Sequence, residues 1–385
     1  MNTDTKVYLK KRFKEYYWNN TVRAPGEIHR REFGVGTLEN KIKFRHKSFS
    51  TERELNQYLK TEAPYYISYS AAYYEYPRES MAQKRWLGAD LIFDLDKPMK
   101  LLSHKLLQEV KEEARNLVGF LTVDFGFRGQ DIHVNFSGSK GYHVHVINDE
   151  VKRLSGEARR EIADYISGAQ VDIRYFIREV EGTKGLTYKR GRVKATSGSW
   201  VGPRKDSTGW GKRIYDVTEG MLTSSLDDLL ALDGIGRKTA EKIVADREKN
   251  MRLLEGGRWD ALMRQFGRNI QKMIYGKAVK VVDEDRQVTF DTARLIRLPD
   301  TIHGGSGLLA KRVAELDKFD PLVDAVAFKG SGCIVLLSSD VGVFQLLGRD
   351  FGPYKSGERV ELDDAAAVYL MLKGLAEVPA VKTGR

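Results

Sequence analysis

The stretch Ala89-Asp90-Leu91-Ile92-Phe93-Asp94-Leu95-Asp96 decides the fold of the chain around it. Its alternation puts Leu91, Phe93 and Leu95 on one face of a strand and Ile92, Asp94 and Asp96 on the other. Pro98 then ends the strand. Downstream, Leu102, Leu106, Val110 and Leu117 recur at helical spacing within 101–120, and two more strands, 132–136 and 142–147, flank a Gly/Ser turn. Upstream, 51–60 reads as a helix capped by Ser50 or Thr51, with Glu54 in its first turn. Strand, helix and hairpin in this order predict an α/β chain of the α+β kind, with mixed sheets flanked by helices. Farther on, 221–273 reads as helical and ends before an apolar strand at 278–282, so a mainly helical subdomain is inserted into the sheet-bearing core. The expected organisation is core 1–204, helical insert 205–276, core 277–385.

The whole composition narrows the partners. At about 150 residues per domain, 385 residues make two to three folded units. Lys+Arg 64 against Asp+Glu 53 leaves +11, a surplus that favours polyanions, nucleic acid first. The one cysteine, Cys333, excludes an intramolecular disulfide and any zinc site built on several thiolates, and it suits a reducing compartment. No run approaches the roughly 18 to 20 apolar residues of a membrane span, and residues 1–12 are polar and charged with no apolar core of a leader. A cytoplasmic chain with no membrane partner is expected. Between Gly182 and Arg213, nine basic residues face one acid, Asp206, among seven glycines and two tryptophans, Trp200 and Trp210. Such a run is either solvated surface or a backbone-contacting strip with rings for base stacking.

Three clusters carry chemistry. Asp94 and Asp96, at i and i+2 of a strand, project from one face about 6 to 7 Å apart and can converge on hard cations such as Mg²⁺ or Mn²⁺. In a buried sheet two carboxylates are costly unless a cation neutralises them. Next, Ser137-Gly138-Ser139-Lys140-Gly141 sets hydroxyls, an ammonium and glycine-freed amides between paired strands, with His143 and His145 following on one face. That combination suits a triphosphate, although S-G and K-G are also ordinary turn dipeptides. The two histidines lack a second class of ligand, so zinc is not expected. The third cluster runs through Asp283, Glu284, Asp285 and Asp291 to Arg294-Leu295-Ile296-Arg297 and Ile302-His303-Gly304. A late carboxylate there could complete a two-metal site, with Arg297 and His303 holding phosphates.

Taken in order, these clusters resemble the catalytic small subunit of the archaeal and eukaryotic type of DNA primase. The resemblance rests on Arg31-Glu32-Phe33, Arg45-His46, Ser48-Phe49, Phe93-Asp94-Leu95-Asp96, the turn from Ser137 to His143, Gly209-Trp210-Gly211-Lys212-Arg213-Ile214, Arg294-Leu295-Ile296-Arg297 and Ile302-His303-Gly304. It implies an α/β primase core with a helical subdomain, and a metal triad of Asp94, Asp96 and Asp285, with Asp283 the close competitor. It further implies that Glu32 is an auxiliary acid, and that Ser137, Ser139, Lys140, His143, Arg297 and His303 line the phosphates of the incoming nucleotide. The implied function is template-directed synthesis of short primers on single-stranded DNA from nucleoside triphosphates, with a primase large subunit as partner. The family's Cys/His zinc motif is missing from 97–130, which contains no cysteine and only His104. Ser139 stands where many relatives have arginine.

Within the insert, Leu229, Leu232, Gly234-Ile235-Gly236, Ala240 and Ile243 fit a helix-hairpin-helix. Its turn would offer backbone amides to a DNA phosphate, with Gly234, Gly236 and Lys238 as the contact residues. A plain helix-helix turn has the same pattern. Two other readings of the whole chain are a stand-alone primer-extending repair polymerase and a non-catalytic DNA-binding subunit.

Overall fold

A computed structural model of the chain describes residues 1–169, 171–180, 186–189, 192–195, 199–232, 234–266, 270, 273–274, 277 and 289–379. The chain divides into two compact units. One comprises Met1–Val118, Phe127–Ala163 and Glu284–Arg385, the other Gly119–Gly126 and Asp164–Asp283.

The first unit is built on two four-stranded antiparallel sheets. Numbered in chain order, their strands are β1 (Phe33–Gly36), β2 (Phe44–Lys47), β3 (Tyr66–Ser70), β4 (Leu91–Asp96), β5 (Ile132–Phe136), β6 (Gly141–Val146), β7 (Leu295–Arg297) and β8 (Lys311–Val313). One sheet has the order β7-β3-β1-β2, the other β8-β5-β6-β4. The alternation read from the sequence is realised in β4: Leu91, Phe93 and Leu95 are fully buried, whereas Asp94 is half-buried and Asp96 exposed. Register sets Asp94 opposite His143 and Asp96 opposite Gly141, and His143 in turn faces Asn135. Paired residues on neighbouring strands share a face, so one row of polar side chains crosses the sheet.

The β5–β6 turn needs its glycines for two different reasons. Gly138 sits at φ +84°, in the left-handed region. Gly141 lies so close to β4 that a Cβ there would fall 1.7 Å from the carbonyl oxygen of Leu95. The helix Glu52–Glu62 starts as expected, with the Thr51 hydroxyl accepting from the Glu54 amide and the Glu54 carboxylate accepting from the Ser50 amide at 2.7 Å.

Residues from the two extremes of the sequence are clasped in this unit. The helix Thr3–Asn19 buries Leu9, Phe13 and Tyr17. The Asn2 amide donates to Glu377 at 2.8 Å, and the Val378 amide donates to the Thr5 hydroxyl at 2.9 Å. The apolar helix Asp364–Leu372 starts at a buried carboxylate, Asp364, which takes a hydrogen bond from Tyr8 at 2.8 Å and an ion pair from Arg12.

The second unit contains the expected insert, 205–276, and also takes in the 119–126 turn and residues from 164 onward. Its helices include Gly209–Thr223, Leu226–Leu230, Arg237–Ala245, Arg247–Glu255 and Asp260–Phe266, packed around Ile214, Leu222, Leu229, Ile243, Leu254 and Trp259. The two tryptophans expected as stacking platforms belong to this interior. Trp210 is 4% exposed, donates its indole N–H to the Tyr165 carbonyl at 3.0 Å and packs on Phe120. Trp200 packs on the same apolar cluster as Trp259. An indole whose N–H finds a carbonyl inside is worth more buried than exposed, which corrects the stacking expectation. Lys184 and Arg190 of the cationic run, and the expected strand 278–282, lie outside the described residues.

Candidate active site

A cavity of about 660 Å³ opens in the first unit where the carboxylate end of β4 meets the β5–β6 turn, β3 and β7. Asp94, Asp96, Ser137, Ser139, Lys140, His143, Arg297 and His303 all line it. Residues distant in sequence are thus brought to one cavity by two antiparallel sheets.

The acidic side is a pair under repulsion. Loss of solvent in the cavity, and then the neighbouring Asp94 carboxylate, raise the Asp96 pKa above its ordinary value. Two adjacent carboxylates that resist joint ionisation are the donor set a hard divalent cation favours. Asp285 and Asp283, the candidates for a third ligand, lie outside the described residues. Among the described residues no group of three or more His, Cys, Asp or Glu is arranged to hold a metal.

The opposite side is cationic. Arg297 is deeply enclosed, with its Nε and Nη1 left without hydrogen-bond partners, and its guanidinium lies 4.8 Å from the centre of the Tyr66 ring. Burial lowers its pKa to about 10. A buried guanidinium with unused donors is costly unless an anion satisfies it. Lys41, from the β1–β2 connection, and Lys373, after the last helix, line the same cavity as Lys140. Burial, then the fields of Lys140 and Lys41, push the Lys373 pKa down. Nothing in the local sequence of Lys41 or Lys373 signalled this role; the fold alone delivers them.

The turn itself is rigid. The Ser137 hydroxyl accepts from the Gly141 amide at 3.2 Å, and the Ser306 hydroxyl donates to the Gly138 carbonyl at 2.5 Å. His303 Nδ1 accepts from the Gly305 amide at 3.2 Å. His143 Nε2 stands 3.6 Å from Asp94, but burial and then the Arg297 field push its pKa down to about 3, so it faces Asp94 as neutral imidazole.

Comparison with known proteins bears on this arrangement. The family model for the DNA primase small subunit matches residues 93–315, from the β4 carboxylate strand through the segment bearing Arg297 and His303. The chain belongs to the DNA primase small subunit family. Relatives named DNA primase small subunit PriS include those of Methanococcoides burtonii, 37% identical over 98% of this chain and 99% of the relative, and Methanosarcina acetivorans, 36% identical over 98% and 97%. That of Halorubrum lacusprofundi is 34% identical over 98% of both chains.

One residue expected at the site is absent from the cavity lining. Glu32 does not line the cavity; it is fully buried at the start of β1. Arg45 donates to it from Nε at 2.9 Å and Nη2 at 3.1 Å, Lys84 Nζ lies at 2.8 Å, and the His46 amide donates at 3.1 Å. Burial alone would raise its pKa, but the Arg45 and Lys84 contacts hold it below the ordinary value. Glu32 therefore anchors Arg45, and it is Arg45 that reaches the cavity wall. In the helical unit, Gly234 sits at φ +86°, Ile235 is 7% exposed and points inward, and Gly234, Gly236 and Lys238 are exposed.

The buried imidazoles have a measurable consequence. Burial followed by nearby cations lowers the pKa values of His145 and His303 well below 6.5. The unfolded chain thus binds more protons than the folded one as pH falls through about 6.5, and each histidine costs about 1.4 kcal/mol of stability per further pH unit. The urea midpoint is expected to drop from pH 7.5 to pH 5.5; a flat profile over that window would contradict the neutral, enclosed state of these rings.

Proposed function

We infer that this chain is the catalytic subunit of a DNA primase, a nucleotidyltransferase that joins nucleotides into short primers along a single-stranded DNA template. The observation that carries the reading is the pairing, in one cavity, of two mutually repelling carboxylates with an Arg297 whose enclosed Nε and Nη1 have no hydrogen-bond partner. Asp94 and Asp96, with Asp285 or Asp283 as third ligand, would hold Mg²⁺ or Mn²⁺. The chemistry such ions would supply there is activation of the attacking 3′-hydroxyl and charge neutralisation on the departing pyrophosphate.

The chain's own groups divide the remaining work. Arg297 and Lys140 meet the phosphates as charge, Ser139 and His143 as neutral donors, and Ser137, Gly138 and Gly141 fix the turn that presents them. His303 closes the wall behind Arg297. Glu32 acts at one remove by fixing Arg45. The proposed substrates are nucleoside triphosphates, and the proposed partner, from the family, is the primase large subunit. No helix among the described residues is long and apolar enough to cross a membrane.

Steady-state incorporation on a single-stranded template tests the assignment. Arg297→Ala is expected to raise KM for nucleotide at least about tenfold, the loss of a charge-assisted contact, while template affinity stays within about twofold. Unchanged KM with weakened template binding would move Arg297 to the DNA path.

For the helical unit we propose DNA-backbone contact through the Gly234-Ile235-Gly236 turn. The amides of Thr239 and Ala240 already donate to the Gly236 carbonyl, so those of Arg237 and Lys238 are the ones offered to a phosphate, and the exposed Lys238 side chain adds charge beside them. A Cβ built at Gly236 meets nothing within 4 Å, and its φ of −82° suits any residue, so Gly236→Val should fold normally. It should nonetheless weaken DNA binding by a few-fold and reduce the salt slope by about one phosphate contact. Unaltered affinity and slope would leave the motif as a helix-helix turn and nothing more.

A further inference from the structure

The polar row that crosses the second sheet does not end at the acid-bearing cavity. Register continues from His143 to Asn135 on β5 and from Asn135 to Arg312 on β8, and one step along, His145 pairs with His133. Asn135, Arg312, His133 and His145 line a second cavity of about 690 Å³ that shares no lining residue with the first. Tyr69 of β3 and Arg31 reach it from the other sheet, Arg115 lines it as well, and Arg23 stands exposed on its wall.

Three properties define what this space would take. Its lining carries four arginines, with two histidines beside them, against one carboxylate, Asp317. Arg31, Arg115 and Arg312 are each held in place by a carboxylate, Asp90, Asp317 and Asp300, whereas Arg23 is in no ion pair among the described residues. His145 is 1% exposed, stacked on Tyr69, and neither of its ring nitrogens has a hydrogen-bond partner. Beyond burial, the groups that lower its basicity are His143, Arg31, His133 and Arg312, with no carboxylate among them. A buried ring with unused polar atoms, in a cavity where Arg23 has no ion pair among the described residues, favours a polar anionic ligand. Planar arginine forks match the oxygens of phosphates as well as those of carboxylates, and the volume exceeds what a single phosphate fills.

We propose that this second cavity is a binding site for a small polyphosphate anion, gripped by Arg23 and Arg312 and backed by His133 and His145. It stands independently of the reading of the acid-bearing cavity.

The test is calorimetric titration of inorganic pyrophosphate into the full chain without divalent metal, comparing wild type with Arg23→Glu and His133→Ala. Both positions are exposed, so neither change should disturb the fold. Arg23→Glu is expected to remove one equivalent of bound pyrophosphate, or weaken it at least about tenfold, and His133→Ala to weaken the same equivalent about threefold. Template-directed incorporation should be unaffected in both. The number of equivalents in wild type, two or one, reports separately on the acid-bearing cavity, so failure of that reading leaves this one testable. Wild-type stoichiometry and affinity in both variants, or no saturable heat in wild type, would overturn the proposal.

Discussion

Asp94→Asn and Asp96→Asn are each expected to abolish metal-dependent primer synthesis, by at least about a thousandfold, while leaving the protein folded. The change removes a ligand charge and almost no volume, so a cation loses the donor it needs. It also removes the repulsion that raises the Asp96 pKa, so Asp94→Asn should melt no lower than wild type at neutral pH. The two effects run in opposite directions, which separates a ligand from a structural carboxylate. Incorporation assays with Mg²⁺ and with Mn²⁺, beside a thermal melt, read both. Residual synthesis within about threefold of wild type would remove Asp94 and Asp96 from the chemistry.

Glu32→Ala is the second large effect, and here stability falls. The substitution strands Lys84, which is itself fully buried and otherwise held by the Pro77 carbonyl at 2.7 Å, and frees Arg45. Removing one partner of a buried ion pair costs about 3 to 5 kcal/mol. Glu32→Gln, which keeps the volume and one acceptor, should cost less. Because the folded pKa of Glu32 is depressed, its stabilisation is present above the unfolded carboxylate value and fades as pH falls through the folded one. The gap between wild type and Glu32→Ala in denaturant midpoint should therefore narrow toward acid pH. A constant gap, or a loss under about 1 kcal/mol, would show that Arg45 and Lys84 find other partners.

Much of the sheet that bears the site was legible because its signals are local. The alternation in Leu91–Asp96, the glycine-bearing turn and the strand Gly141–Val146 lie within a few dozen residues, and antiparallel pairing leaves little choice of register. Lys41 and Lys373 were not legible, since a single lysine after a loop or an apolar helix has no pattern of its own. Glu32 was recognisable as important but not as indirect: whether a carboxylate faces a cavity or two cations depends on Arg45 and Lys84, which local spacing does not reveal. Trp200 and Trp210 misled because aromatic residues among glycines and cations look the same in a sequence whether they stack on bases or fill a core.

The clasp between the helix Thr3–Asn19 and residues 364–378 has a bearing on biosynthesis. At about 5 to 20 residues per second on the ribosome, that helix emerges tens of seconds before residues 364–378. Phe13, fully buried in the finished fold, packs on Phe328, and the Tyr17 hydroxyl accepts from the Ile302 amide, so both wait nearly as long for part of their cover. Contacts of such sequence separation also close slowly. The nascent catalytic unit is therefore a natural client for holdase chaperones until translation reaches Asp364, whose carboxylate receives Tyr8 and Arg12.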